Sequence, residues 1–274
     1  MTWTTGTVDV EGGSLLYYRT WGGGPALLLL HGITDSALCW TRVARDLEPE
    51  FDVVMPDARG HGRSRAAGAN VTVGRLAADA AAIVGALGLG RTLVFGHSMG
   101  AVTAAALAAE RPDLVRALVL EDPPIEPRYH FNPAFVQGWQ ADLAIWATLS
   151  VDERHARAAA ENPGWDRSET DPLGDAKAAV DPAVLDRTGS PAEIDWPSVF
   201  ARIICPGLLV TGDRSLGAIV SPATAAATMR AWPAGRTAHV PGAGHCIHRD
   251  RWTEAMAPIR SFLREAAGPA IVRK

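Results

Sequence analysis

The chain has 274 residues, room for roughly two average domains or, as expected here, for one large α/β domain carrying an insertion. Hydrophobic residues make up 47% and charged residues 20%, with 26 Lys plus Arg against 30 Asp plus Glu and a net charge of -4. This balance excludes a disordered, collagen-like or coiled-coil chain, and the absence of a basic surplus argues against nucleic acid or an anionic membrane as partner. Small, neutral or apolar molecules fit better.

The three cysteines, Cys39, Cys205 and Cys246, form no C-x-x-C pair and cannot all pair with one another, which points to a reducing compartment rather than a disulfide framework. Met1 to Gly13 has neither a basic n-region nor an apolar h-region, and the longest apolar runs, Ala26 to Leu30 and Ala104 to Ala109, fall far short of the roughly 20 residues needed to cross a bilayer. The expectation is a cytoplasmic protein.

In chain order, Thr7 to Val10 and Ser14 to Thr20 flank Gly12-Gly13 and predict an antiparallel hairpin. Ala26 to Leu30 is a continuous apolar run bounded by Gly24-Pro25 and Gly32, the signature of a parallel strand buried on both faces. Similar runs recur at Asp52 to Met55, Thr92 to Phe95, Ala117 to Leu120 and Leu208 to Thr211, with a weaker one at Thr237 to Val240. Helical patterns separate them at Ala37 to Leu47, Val73 to Leu87, Met99 to Glu110, Pro222 to Trp232 and Asp250 to Glu265. The alternation predicts a doubly wound, mostly parallel eight-stranded sheet.

Between Pro124 and about Pro197 the alternation stops. That stretch holds Trp139, Trp146, Trp165 and Trp196, several prolines and helical pieces at Pro133 to Leu149 and Val151 to Ala160. A structureless loop of that length is improbable inside a compact domain. The segment 124–197 therefore reads as a helical cap inserted after the sixth strand, dividing a core made of 1–123 and 198–274.

Gly96-His97-Ser98-Met99-Gly100 is a G-x-S-x-G that directly follows a predicted strand and opens a predicted helix. Small residues at Gly96 and Gly100 allow a tight strand-to-helix turn that presents the Ser98 hydroxyl at the strand's carboxyl end. The helix N-terminus beneath it favours developing negative charge. With His31-Gly32 after the third strand, Asp57 to Ser64 after the fourth, Gly212-Asp213 after the seventh and Gly242-Ala243-Gly244-His245 after the eighth, the chain resembles the α/β-hydrolase fold family over nearly all of its length outside the cap.

The resemblance implies a serine hydrolase. A serine hydroxyl is a weak nucleophile that needs a base oriented by a carboxylate. The resemblance assigns the base to His245, with His248 as a local competitor given a capping or surface role at the start of the last helix. For the acid it offers two positions: Asp213, favoured by the order serine, acid, histidine, and Asp122, the alternative at the end of the sixth strand. It also implies that the backbone N–H groups of Ile33 and Met99 form the oxyanion hole. Arg59 and His61 read as structural groups bonding backbone. His245 and His248 lack the further ligands a zinc site requires, Gly88-Leu89-Gly90 and Gly22-Gly23-Gly24 lie outside any nucleotide-loop context, and nothing calls for a cofactor.

The expectation is thus a cofactor-independent hydrolase of a small, largely apolar carboxylic ester or lactone, working through an acyl-enzyme at Ser98. Ser at the elbow argues against halide or epoxide opening, for which relatives carry Asp. Two alternatives stay open: a hydrolase of carbon-carbon bonds next to a carbonyl, and a low-turnover ligand-binding receptor of the same fold. Trp139 and Trp146 are candidate substrate contacts in the cap, although packing the cap onto the sheet would explain such rings equally well.

Overall fold

The computed structural model describes residues 3–65, 71–127, 132–187 and 193–268. Its eight strands are β1 (Thr4–Val10), β2 (Gly13–Arg19), β3 (Ala26–Leu30), β4 (Asp52–Pro56), β5 (Thr92–His97), β6 (Val115–Glu121), β7 (Gly207–Thr211) and β8 (Gly235–His239). They form one sheet in the order β1-β2-β4-β3-β5-β6-β7-β8. The first hairpin and the β2–β4 pair are antiparallel, and every later pair is parallel. This is the α/β-hydrolase fold expected from the sequence.

The central strands are apolar through their middles because both faces are covered. Leu27 and Leu29 pack on one face with Val53, Met55, Leu93 and Phe95, whereas Leu28 and Leu30 pack on the other with Val54 and Val94. The first face is covered by α1 (Thr41–Leu47) and α11 (Trp252–Ala267), and the second by α2 (Val73–Ala86), α3 (Met99–Glu110), α8 (Trp196–Ala201) and α9 (Pro222–Ala231). The strand order reverses at β3, whose neighbours are β4 and β5. Ligands of open α/β sheets gather outside the strand carboxyl ends at such a point.

Two predicted helices are divided. Ala37–Trp40 is a 3-10 turn leading into α1, with Ala37, Cys39 and Trp40 buried, and the Asp57 carboxylate accepts from the Ala37 N–H at 2.8 Å. The last helix is preceded by a separate turn, α10 (Ile247–Asp250), from which it is parted by Arg251 at φ -138 and ψ 67.

Between β6 and β7 the chain is helical: α4 (Pro133–Trp146), α5 (Val151–Glu161), α6 (Arg167–Ala179), α7 (Val184–Arg187) and α8. Asn132, Ser150 and Asp166 cap α4, α5 and α6 through their side chains. An apolar patch joins these helices to α2 and the start of α3, with Leu143, Val180, Val184 and Leu185 meeting Val71, Leu76 and Met99. α8 differs from its predecessors, because Trp196 and Phe200 join the main core beneath the sheet. Among the described residues no helix is long and apolar enough to cross a membrane.

Candidate active site

Ser98 lies between β5 and α3 at φ 51 and ψ -115, a conformation sparsely populated by residues other than glycine. The flanking glycines are needed on steric grounds. A Cβ at Gly100 would overlap the Leu30 carbonyl, and one at Gly96 would overlap the carbonyl of Gly100. The Ser98 N–H donates to the Glu121 carbonyl at 3.0 Å, so the turn is braced against the end of β6.

The next residue after that strand end is Asp122, fully buried and also left-handed at φ 40. The Ile219 N–H donates to its Oδ2 at 2.7 Å and the Val220 N–H to its Oδ1 at 2.9 Å. The same Oδ2 lies 2.7 Å from His245 Nδ1, and His245 Nε2 lies 3.0 Å from Ser98 Oγ. A carboxylate at Nδ1 selects the tautomer with its proton there, leaving Nε2 to accept from the serine hydroxyl. Such a chain can take a proton from the hydroxyl as it attacks and deliver it to a leaving group.

The carboxylate preferred on chain order stands elsewhere. Asp213 accepts from the Gly242 N–H at 2.7 Å and pairs with His239 Nε2 at 3.1 Å, at the exposed edge beside β8. The Gly242 N–H chiefly, with burial opposing and His239 assisting, keeps its carboxyl below the usual range. Asp213 thus fastens the turn that carries His245 and leaves the imidazole to Asp122.

His248 is another correction. It is completely buried, with its ring stacked on Trp40 at 5.0 Å and its Nδ1 within 2.9 Å of both oxygens of Glu121. The capping or surface role expected from the sequence does not hold, because the ring is engaged by the Glu121 carboxylate. Burial would raise the Glu121 carboxyl, but the His248 charge and hydrogen bonds outweigh it and bring the group down to about 2.

The loops around the serine are tied to one another. His31 Nε2 accepts from the Ala58 N–H at 2.9 Å, and His61 places its ring nitrogens against the Arg59 and Ile33 carbonyls. Burial holds His61 down to about 4. Arg59 donates to the Glu11 carbonyl as expected, but its main partner is a side chain, Asp79, at 2.6 Å. These contacts hold the peptide after Gly32, and both Ile33 and Ser98 face a cavity of about 290 Å³.

Trp139 on α4, Leu173 on α6 and Trp165 in the turn between α5 and α6 line the same cavity. Trp139 is therefore where the sequence suggested a substrate contact would be. Trp146 is not: it is fully buried, donates from Nε1 to Asp142 at 2.9 Å, and lies under Arg157 and Lys177. Trp165, whose Nε1 donates to Asp250 at 2.8 Å, takes its place in the wall. Sequence reasoning also passed over the charged residues lining the cavity, Asp35, Arg249, Glu161 and Lys177. They lie outside the glycine-rich motifs, and each resembles an ordinary surface charge on its own.

Residues 25–251 match the family model described as the alpha/beta hydrolase fold. The chain is 31% identical over 262 residues to an N-formylmaleamate deformylase of Pseudomonas putida, covering 94% of this chain and 96% of that protein. It is 32% identical over 277 residues to a lipase, LipV, of Mycobacterium tuberculosis, covering 90% and 97%. The crystal structure of an E-2-(acetamidomethylene)succinate hydrolase superposes with a TM-score of 0.81 at 24% identity, over 96% of this chain and 99% of that one. With its sheet order, its strained serine turn and these full-length similarities, the chain belongs to the α/β-hydrolase fold family, and it is a hydrolase.

Proposed function

We propose that the protein is a serine hydrolase that cleaves a small carboxylic ester or lactone through an acyl-enzyme at Ser98. The observation that carries this reading is the unbroken run of hydrogen bonds from Ser98 Oγ through His245 to the buried Asp122. In the first half-reaction Ser98 Oγ attacks the acyl carbon while its proton passes to His245 Nε2. The Ile33 and Met99 N–H groups stabilise the resulting oxyanion, and the leaving group departs with the proton from His245. Water, deprotonated by the same imidazole, then releases the acid and restores the serine. Asp122 keeps the ring oriented and stabilises its protonated form. The helices between β6 and β7 act as a cap that selects the substrate.

A second reading is hydrolysis of a small amide carrying a carboxylate. It is favoured by Lys177 in the cavity lining and by the similarity to a deformylase named for N-formylmaleamate. The test is labelling with a serine-directed phosphonate followed by turnover of p-nitrophenyl esters, aryl lactones and anionic N-acyl amides. Wild type should be labelled at Ser98, and Ser98→Ala should be folded, unlabelled and inactive. Labelling at another residue, or turnover by Ser98→Ala, would overturn the assignment.

A further inference from the structure

We propose that the Asp35–Arg249 pair is a positioning strut for acyl transfer, locking the loop that carries the Ile33 N–H to the loop that carries His245. This rests on the serine-hydrolase reading above. The two residues are 214 positions apart, and their side chains meet in a two-pronged contact, Arg249 Nη1 to Asp35 Oδ1 at 3.3 Å and Nη2 to Oδ2 at 3.0 Å. Both are at least 95% buried, and both line the cavity at Ser98.

The placement gives the contact its meaning. Asp35 closes a turn onto Gly32 through its own N–H at 3.1 Å, so its position governs the intervening Ile33 peptide. Arg249 sits on the α10 turn four residues beyond His245, and its N–H donates to the Cys246 carbonyl at 3.0 Å. His97 crosses between the same elements, with Nε2 3.1 Å from the His245 carbonyl and Nδ1 3.8 Å from Asp35 Oδ2. The inserted helices reach the strut as well, since Glu169 on α6 is fully buried with Oε2 3.5 Å from Arg249 Nε. Donor and base are thus fixed relative to each other by a guanidinium and a carboxylate whose planar fork tolerates little rotation.

A buried ion pair is a poor device for stability alone, because apolar side chains of the same volume would serve as well without the desolvation cost. Two carboxylates already face Arg249, which disfavours it as an anchor for a third on the substrate. Burial would raise the Asp35 carboxyl, but Arg249 and His97 hold it well below the usual range, so the strut is charged at neutral pH.

The experiment compares wild type with Asp35→Asn, Arg249→Gln, Arg249→Lys and the double variant Asp35→Asn/Arg249→Gln. Each is assayed on p-nitrophenyl acetate and an anionic ester, with the rate of phosphonate labelling at Ser98 and Tm measured in parallel. Displacing a reacting group by about 1 Å can cost on the order of 100-fold, so each neutral single variant is expected to lose about 10- to 100-fold in kcat with KM nearly unchanged. The double variant should be no worse than the poorer single one, because the two residues act as a unit. Arg249→Lys keeps the cation and not the fork, and its kcat should fall between those of Arg249→Gln and wild type; it carries the comparison if Arg249→Gln fails to fold. Folded variants with wild-type kcat, Arg249→Lys included, would overturn the strut while leaving Ser98 chemistry standing. A rise in KM confined to the anionic ester would make Arg249 a substrate-binding group instead. Absence of wild-type turnover and labelling would overturn both this inference and the reading on which it rests.

Discussion

His245 and Asp122 are joined by a 2.7 Å contact across 123 residues of sequence, and two backbone N–H groups hold the same carboxylate from behind. Asp213, one strand further out, is engaged by His239 and Gly242. Removing the partner of a catalytic imidazole costs on the order of 10⁴-fold in kcat, because the wrong tautomer is then populated. Asp122→Asn is therefore expected to lose about 10³- to 10⁴-fold, and Asp213→Asn only a small part of that, through a looser turn before His245. Steady-state kinetics on both variants, with circular dichroism to establish folding, checks the order; a large loss confined to Asp213→Asn would reverse it.

Acidification should weaken the fold in two stages, with a sign set by groups whose folded pKa values are depressed. His61 is lowered from 6.5 to about 4 by burial, so its contribution is present above pH 6.5 and is lost as pH falls toward 4. Glu121, brought from 4.5 to about 2 against its burial by His248, contributes stability above pH 4.5 that disappears as pH falls toward 2. Urea unfolding at a series of pH values should show stability declining from about pH 6.5 downward, and Glu121→Gln should flatten the lower part. A wild-type profile that stays level to pH 3 would contradict both assignments.

Two glycines in helices make an internal comparison. A methyl group at Gly100, in the first turn of α3, would strike the Leu30 backbone, whereas one at Gly138, within α4, meets nothing within 4 Å. Overpacking against backbone costs about 1–3 kcal/mol or more, while replacing an unhindered helical glycine by alanine gains about 0.5–1 kcal/mol. Gly100→Ala should thus lower Tm and displace Ser98 enough to suppress labelling, and Gly138→Ala should raise Tm without touching turnover. Thermal melts of the two variants decide it, and equal Tm changes would refute the steric argument.

What the sequence disclosed is what depends on short-range pattern. The buried runs at Ala26 to Leu30 and, after Thr92, at Leu93 to Phe95 are apolar at every position because both faces are covered, and the strained turn at Ser98 shows itself through the glycines it requires. The choice between Asp122 and Asp213 depends on which of two neighbouring strand ends lies opposite the histidine loop, a relation of β6 and β7 that no local pattern encodes. His248 escapes a local reading because a histidine near a helix start and a glutamate ending a strand each look solvent-exposed until they are paired. The Asp35–Arg249 contact joins residues from opposite ends of the chain, so neither partner could suggest the other.

The same limit applies to the tryptophans of α4 and leads to the final prediction. Trp139 and Trp146 are seven residues apart, two helical turns, so they share a face about 10 Å apart along the axis. One end of that face overlooks the cavity, where Trp139 lies beside Ile33 and Ser98. The other meets α5 and α6, where Trp146 is sealed beneath Arg157 and Lys177 and held by Asp142. Truncating a fully buried tryptophan costs about 3–5 kcal/mol, so Trp146→Ala should reduce Tm markedly and leave the ranking of ester chain lengths as it was. Trp139→Ala removes a cavity wall instead, and should shift that ranking toward longer acyl chains with a smaller change in Tm. Measuring kcat/KM across acetate to octanoate esters for both variants, at a temperature where each is folded, separates wall from packing. A selectivity shift in Trp146→Ala and none in Trp139→Ala would mean that the cavity takes its shape from the packing of α4 against α5 and α6 and not from the side chain that borders it.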